Sequence, residues 1–169
     1  MKRVSLVKGQ TALVRAKSKK RVVRRKVVGN VRVIKAKNCI VSCIDFRIQK
    51  YIYKWLKETH NLDKSDLIEV AGSSRDIVKP LRPHHKEDLL RNIQVSIELH
   101  DPDNIIVFDH QDCGGYAHDN TIKHGLSVEQ DEKQHRHFSE IAYRELTKIF
   151  PDRKIYTYYV SLRGHVVKV

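Results

Sequence analysis

Sulfur is scarce in this 169-residue sequence: three cysteines and one methionine. An odd cysteine count, at Cys39, Cys43 and Cys113, does not suit the disulfide framework that staples small secreted domains. No secretory leader is read at the start, because Lys2, Arg3 and Lys8 break up any apolar stretch there. The expectation is an intracellular chain, cytoplasmic or in an organelle matrix, whose few thiols are free for metal binding or catalysis. No apolar run approaches the roughly 18 residues of a membrane span, no internal repeat occurs, and no phosphate-loop pattern is present. Acidic residues are missing from residues 1–37, which hold 14 of the 33 Lys and Arg. The remaining residues carry 19 basic and 20 acidic groups, so the excess behind the net charge of +13 sits in the head and the body is nearly neutral.

What is present after residue 37 has the length of one domain with a real core. We divide the chain into a basic N-terminal extension, 1–37, and a body, 38–169. Apolar runs alternate in the body with amphipathic ones. "CIVSC" (39–43), "LIEVAG" (67–72), "NIIVFD" (104–109) and "KIYTYYV" (154–160) read as strands, and "HVVKV" (165–169) as a fifth strand or a short tail. Helical spacing places Ile48, Tyr51, Ile52, Trp55 and Leu56 on one face over 48–60. It does the same for Leu89, Ile93 and Ile97 over 84–100, just after Pro83, a residue suited to a helix start. A third helix is expected over 129–149, with Phe138, Ile141, Ala142, Leu146 and Ile149 inward and Pro151 beyond its end. Apolar strands alternating with helices indicate an α/β fold with a mostly parallel central sheet flanked by helices. Such sheets carry ligands beyond the carboxyl ends of their strands.

Two clusters fall at such ends. In "CIVSCIDFR" (39–47), Cys43, Asp45 and Arg47 alternate, so they share a face for as long as strand geometry lasts. In "FDHQDCGG" (108–115), His110 and Cys113 follow the third strand, with Gly114 and Gly115 permitting close backbone approach. Two thiolates and an imidazole suit Zn²⁺, and three protein ligands leave one position for a water whose pKa falls towards about 7. Asp45 would accept a hydrogen bond from the resulting hydroxide, and Arg47 would hold Asp45 by a bidentate pair, ionised and off the metal. The plainer alternatives are two buried core thiols and a structural salt bridge. Cys39, deeper in the strand, reads as core. His118, His124, His135 and His137 follow the site as candidate proton shuttles, most of them expected to be ordinary surface histidines.

Cys43-Ile44-Asp45-Phe46-Arg47 followed by His110-Gln111-Asp112-Cys113-Gly114 resembles the signature of the β-class carbonic anhydrases, Cys-x-Asp-x-Arg and His-x-x-Cys-Gly at two strand ends. The resemblance covers about residues 38–169 and includes Ala71-Gly72 and Ser161-Leu162-Arg163-Gly164. It implies Cys43, His110 and Cys113 as zinc ligands, Asp45 and Arg47 as the gating dyad, reversible hydration of CO₂ to bicarbonate by a zinc-bound hydroxide, and a homodimer. Phe46 stands where members commonly have Ser, and Glu69-Val70 where many have Arg-Asn.

The head supports a different expectation. Lys19, Lys20, Arg21, Arg24, Arg25 and Lys26, with no acid nearby, are the footprint of contact with RNA or DNA phosphates. Without aromatics in the segment, stacking on bases is not available, so such contact would carry no sequence readout. Its valines and Gly29-Asn30 would suit a hairpin, and the segment could equally be a solvated arm or wrap a dimer partner. The second functional reading is therefore an anhydrase-like, zinc-binding and catalytically idle component of a ribonucleoprotein, recruited by this arm.

Overall fold

The computed structural model of the protein describes residues 27–28, 31–59 and 62–169. The basic cluster from Lys19 to Lys26 and the turn expected at Gly29-Asn30 lie outside the described residues. Val27–Val28 (β1) and Val31–Arg32 (β2) pair antiparallel, Val28 opposite Val31. From Ile34 the chain runs along the body, where the Ala36 N–H donates to the His100 carbonyl at 2.7 Å.

The body is a five-stranded sheet in the order β4-β3-β5-β6-β7. Its strands are β3 (Asn38–Ser42), β4 (Ser65–Glu69), β5 (Asn104–His110), β6 (Lys154–Val160) and β7 (Val166–Lys168). All neighbours are parallel except β6 and β7. The helices are α1 (Phe46–Thr59), α2 (Arg75–Val78), α3 (Pro83–His100), α4 (Gly114–Ala117) and α5 (Val128–Ile149). Pro83 takes the first turn of α3, and Ser127 with Gln130 closes a capping box at the start of α5.

The central strands are apolar because both faces of the sheet are covered. Cys39, Val41, Ile105, Val107 and Ile155 point to one side, against Ile77, Leu89, Ile93, Ala142 and Leu146 of the later helices. Ile40, Ile106, Phe108 and Val160 point to the other, against Ile48, Ile52 and Leu56 of α1. Cys39 is wholly buried in the first of these layers, as a core residue. Burial of one such aliphatic side chain is worth about 1.5–3 kcal/mol.

Three expectations need correction. The second strand runs over Ser65–Glu69, not 67–72. Asp66 is admitted to this edge strand because Ser96 Oγ (2.6 Å) and His100 Nδ1 (2.8 Å) bond its carboxylate. Secondly, β3 ends at Ser42 and α1 begins at Phe46, so strand alternation does not relate Cys43, Asp45 and Arg47. Thirdly, the buried stripe of α5 is Asp131, His135, Ser139, Ala142 and Leu146, while Ile149 is exposed. The N-terminal half of that helix faces polar groups at the carboxyl ends of β5 and β6 and in the loop after β5, namely Asp109, Tyr159 and the Asp112 N–H, and its inward residues are polar for that reason.

The loops after β4 and β5 abut backbone to backbone. A Cβ on Gly115 would fall 2.4 Å from the Gly72 nitrogen and 2.8 Å from the Ala71 carbonyl carbon, whereas one on Gly114 would meet nothing within 4 Å. Gly115→Ala is therefore expected to lower unfolding free energy by about 1–3 kcal/mol in urea titration, as overpacking does, and Gly114→Ala to stay within about 0.5 kcal/mol of wild type.

Candidate metal centre

Four chain segments converge at the carboxyl end of the sheet. Cys43 follows β3, His110 closes β5, and Cys113 immediately precedes α4. The Gly72 N–H, in the turn after β4, donates to Cys43 Sγ at 3.3 Å. The sulfur atoms of Cys43 and Cys113 lie 3.8 Å apart, and all three candidate ligand atoms fall within 4.8 Å of one another. All three residues are buried.

The donor set can be tested against zinc without placing an ion. Two thiolates at about 2.3 Å from a tetrahedral centre stand roughly 3.8 Å apart, the observed sulfur separation. His110 donates its Nδ1 hydrogen to the Gln111 carbonyl at 2.8 Å, which leaves Nε2 as the lone-pair nitrogen. That Nε2 is buried and has no hydrogen-bond partner among the described residues, as expected of a ligand nitrogen aimed at a cation. The thiols carry the same signature. Hydrogen bonding from Cys113, helped by His110 and the Gly72 N–H and opposed by burial, pushes the Cys43 thiol down to about 4. The Cys113 thiol is pushed up, because it is the donor to Cys43 and its ionisation would set a second charge beside the first. A divalent cation between them removes that conflict. The residues fit zinc.

Asp45 and Arg47 meet through a turn instead of a strand. The Arg47 backbone N–H donates to Asp45 Oδ1 at 2.9 Å, and the guanidinium grips both carboxylate oxygens, Nε at 3.0 Å to each and Nη2 at 2.7 Å to Oδ2. These bonds from Arg47 hold the Asp45 carboxyl below its usual range. Its Oδ2 stays 3.9 Å from His110 Nε2. Arg47 also donates to Asp112, by Nη1 to the carboxylate (3.1 Å) and Nη2 to the carbonyl (2.9 Å). Asp112 sits between the two candidate ligands, and sequence reasoning passed it over as a spacer.

The site opens into a cavity of about 660 Å³ whose lining includes Cys43, Asp45, Arg47 and Gly115. Ile44, Phe46 and Leu81 line it too and are 60 %, 84 % and 47 % exposed. Of the four candidate shuttle histidines, only His118 lines this cavity. The exposed His124 pairs with the Asp112 carboxylate (2.5 Å), and the exposed His137 stacks edgewise near Phe138. His135 departs from the surface expectation: it is wholly buried, edge-on to Tyr116 at 4.7 Å.

Beside the candidate ligands lies a buried polar layer that the motifs do not reveal. Asp109 accepts from Ser74 N–H (3.2 Å), Ser74 Oγ (2.6 Å) and Ser139 Oγ (2.8 Å). Asp131 accepts from the Asp112 N–H (3.1 Å) and the Tyr159 hydroxyl (2.7 Å). The only advance signal was the i, i+4 series Asp131, His135, Ser139 on α5, three polar residues along one line.

A sequence profile of the family described as "Putative carbonic anhydrase" matches residues 33–169. An uncharacterized protein of Rickettsia bellii is 25% identical over 134 residues, 79% of this chain and 82% of that protein. Among solved structures, the carbonic anhydrase of Streptococcus mutans superposes with a TM-score of 0.50 at 17% identity, over 81% of this chain and 83% of that one. One of the two tetrameric β-carbonic anhydrases of Sordaria macrospora gives 0.54 at 12% identity, over 80% and 81%. At these identities the structural likeness concerns the fold.

The buried groups set opposite pH dependences. Burial pushes His135 down to about 3, so between its ordinary 6.5 and about 3 the unfolded chain binds the extra proton and stability falls as pH falls. Burial pushes Asp109 up to about 6, so the folded chain binds the extra proton between about 3.8 and 6 and stability rises as pH falls there. The difference between wild type and His135→Phe isolates the first effect. Urea titrations across pH 3–6.5 should show wild type losing up to about 1.4 kcal/mol per pH unit relative to the variant; parallel profiles would contradict a neutral buried His135.

Proposed function

The chain belongs to the putative carbonic anhydrase family, and on that premise we propose that it hydrates CO₂ reversibly to bicarbonate on a zinc ion held by Cys43 Sγ, His110 Nε2 and Cys113 Sγ. The single observation that carries the reading is the convergence of those three atoms within 4.8 Å, two sulfurs at tetrahedral spacing and an orphaned imidazole nitrogen. Zinc with three protein ligands supplies a Lewis acid that makes water a nucleophile near neutral pH.

The chain's own groups do the rest. Asp45 stays ionised and can only accept, so it orients the attacking water through one O–H and leaves the oxygen lone pair towards the carbon. The grip of Arg47 keeps the carboxylate from becoming a ligand itself. Ile44, Phe46 and Leu81 give the cavity mouth an apolar lining, suited to an uncharged, apolar gas. Water adds one oxygen to CO₂ and releases one proton for each bicarbonate formed, and His118 on the cavity wall is placed to pass that proton to solvent.

Stopped-flow CO₂ hydration tests this on zinc-loaded protein. Wild type should exceed buffer clearly at mildly alkaline pH. Asp45→Asn should keep its zinc and lose about 10²-fold or more in kcat, the range of general acid–base contributions, and Cys43→Ser should lose zinc. A zinc-loaded wild type with no turnover above buffer overturns the reading.

The same mouth supports self-association. Phe46, at 84 % exposure, with Ile44 and Leu81 makes an apolar rim of the sort that marks an interface, and a tetrameric relative shares the fold. The occupant is a second copy of this chain. Sedimentation of the full chain should give a dimer or larger species, and Phe46→Glu should shift it to monomer; a monomeric wild type at tens of micromolar removes this proposal.

A further inference from the structure

Resting on the zinc reading, the inference concerns a residue outside both motifs. Helix α5 lies against the segment from Asp109 to Cys113, the end of β5 and the loop after it, and touches it on both sides of His110. Ser139 Oγ donates to Asp109 Oδ2 at 2.8 Å, and Asp131 Oδ2 accepts the Asp112 N–H at 3.1 Å. The second bond bears on an unusual backbone. Asp112 has φ 56°, in the left-handed region that L residues seldom occupy. It is one residue before Cys113 and two after His110, so its conformation determines whether the imidazole and the thiol face the same point.

Asp112 is held at both peptide groups. Its N–H is taken by Asp131, and its carbonyl by Arg47 Nη2 at 2.9 Å. Because Arg47 also holds Asp45, a continuous chain of bonds runs from α5 through Asp112 and Arg47 to the dyad. Asp131 is itself fixed. Its other oxygen accepts from the Tyr159 hydroxyl at 2.7 Å, and it is 1 % exposed, so no water competes freely for its lone pairs. A carboxylate buried at that depth needs donors, and among the described residues the loop N–H is one of the two hydrogen bonds it accepts, with His135 Nε2 standing off at 3.6 Å.

We propose that Asp131 is a positioning residue of the metal centre: it locks the left-handed turn at Asp112, aims His110 and Cys113 at Cys43, and through Arg47 keeps Asp45 at its distance from the metal. This goes beyond bulk packing of α5, because the helix's apolar half, Ala142 and Leu146, contacts the sheet core instead of the loop.

The test replaces zinc with Co²⁺ in the full chain and reads the visible ligand-field and thiolate-to-cobalt bands, with zinc affinity measured by competition against a chromophoric chelator. Asp131→Ala should shift the bands and weaken zinc about 10–100-fold, the usual effect of losing a group that orients a ligand. Asp131→Asn, which cannot accept from both Asp112 and Tyr159, should shift both readouts in the same direction by less, and it serves alone if the alanine variant does not fold. Leu146→Ala, at the far end of the same helix, should lower stability with the cobalt bands unchanged. Folded Asp131 variants with wild-type bands and affinity overturn this proposal alone, as does a band shift in Leu146→Ala equal to theirs. A wild type that takes up neither Co²⁺ nor Zn²⁺ overturns the zinc reading and this proposal with it.

Discussion

Two largely buried sulfur atoms 3.8 Å apart set the constraint on which the rest of the body turns. One of them, Cys43, can ionise, because the Cys113 thiol, with help from the Gly72 N–H, donates to it. Ionising the second sets like charges against each other, at about 4 kcal/mol for unit charges 4 Å apart at an effective dielectric of 20. Only a cation in their midst makes the pair favourable as two thiolates. The fold supplies what that arrangement needs: three parallel strand ends at one level, a glycine turn whose N–H faces a sulfur, and a second glycine that lets the two loops touch backbone to backbone.

Behind the candidate ligands the protein keeps polar groups where apolar ones would pack more simply. Asp109 and Asp131 are each 1 % exposed, and both carboxyls are pushed up by burial. Each is made tolerable by donors: three bonds from serines in one case, a backbone N–H and a tyrosine in the other. Such layers specify geometry more than they stabilise. Here the geometry specified is that of the segment from Asp109 to Cys113. The stability forgone is visible in His135, neutral and wholly buried with both ring nitrogens lacking hydrogen bonds among the described residues.

How much of this was readable beforehand depends on whether a residue's neighbours are close in sequence. The strands over 104–109 and 154–160 and the helix starting at Pro83 were legible, since apolar runs and local caps declare them. The candidate trio was legible from the two motifs taken together and from the family signature they resemble, since a cysteine alone reads as readily as a buried core thiol. The pairing of Asp45 with Arg47 was anticipated for a wrong geometric reason: a turn whose N–H folds back onto the carboxylate brings them together, not strand alternation. Towards its N-terminus the inward face of α5 is polar instead of apolar, because hydropathy cannot show that this end of the helix will meet polar groups at the ends of β5 and β6.

By itself, then, the order of residues determined the alternation of elements, the chemistry of the donor atoms and the concentration of positive charge in the head, all of them properties of composition and short-range spacing. Tertiary structure alone decided that two sulfurs and a nitrogen meet within 4.8 Å, that Arg47 divides its grip between Asp45 and Asp112, and that Asp131 reaches a backbone N–H 19 residues away in the chain. The physical reason is that these contacts join segments related only through the register of a parallel sheet and the packing of a helix upon it. A one-dimensional pattern does not encode which polar side chains will be buried face to face.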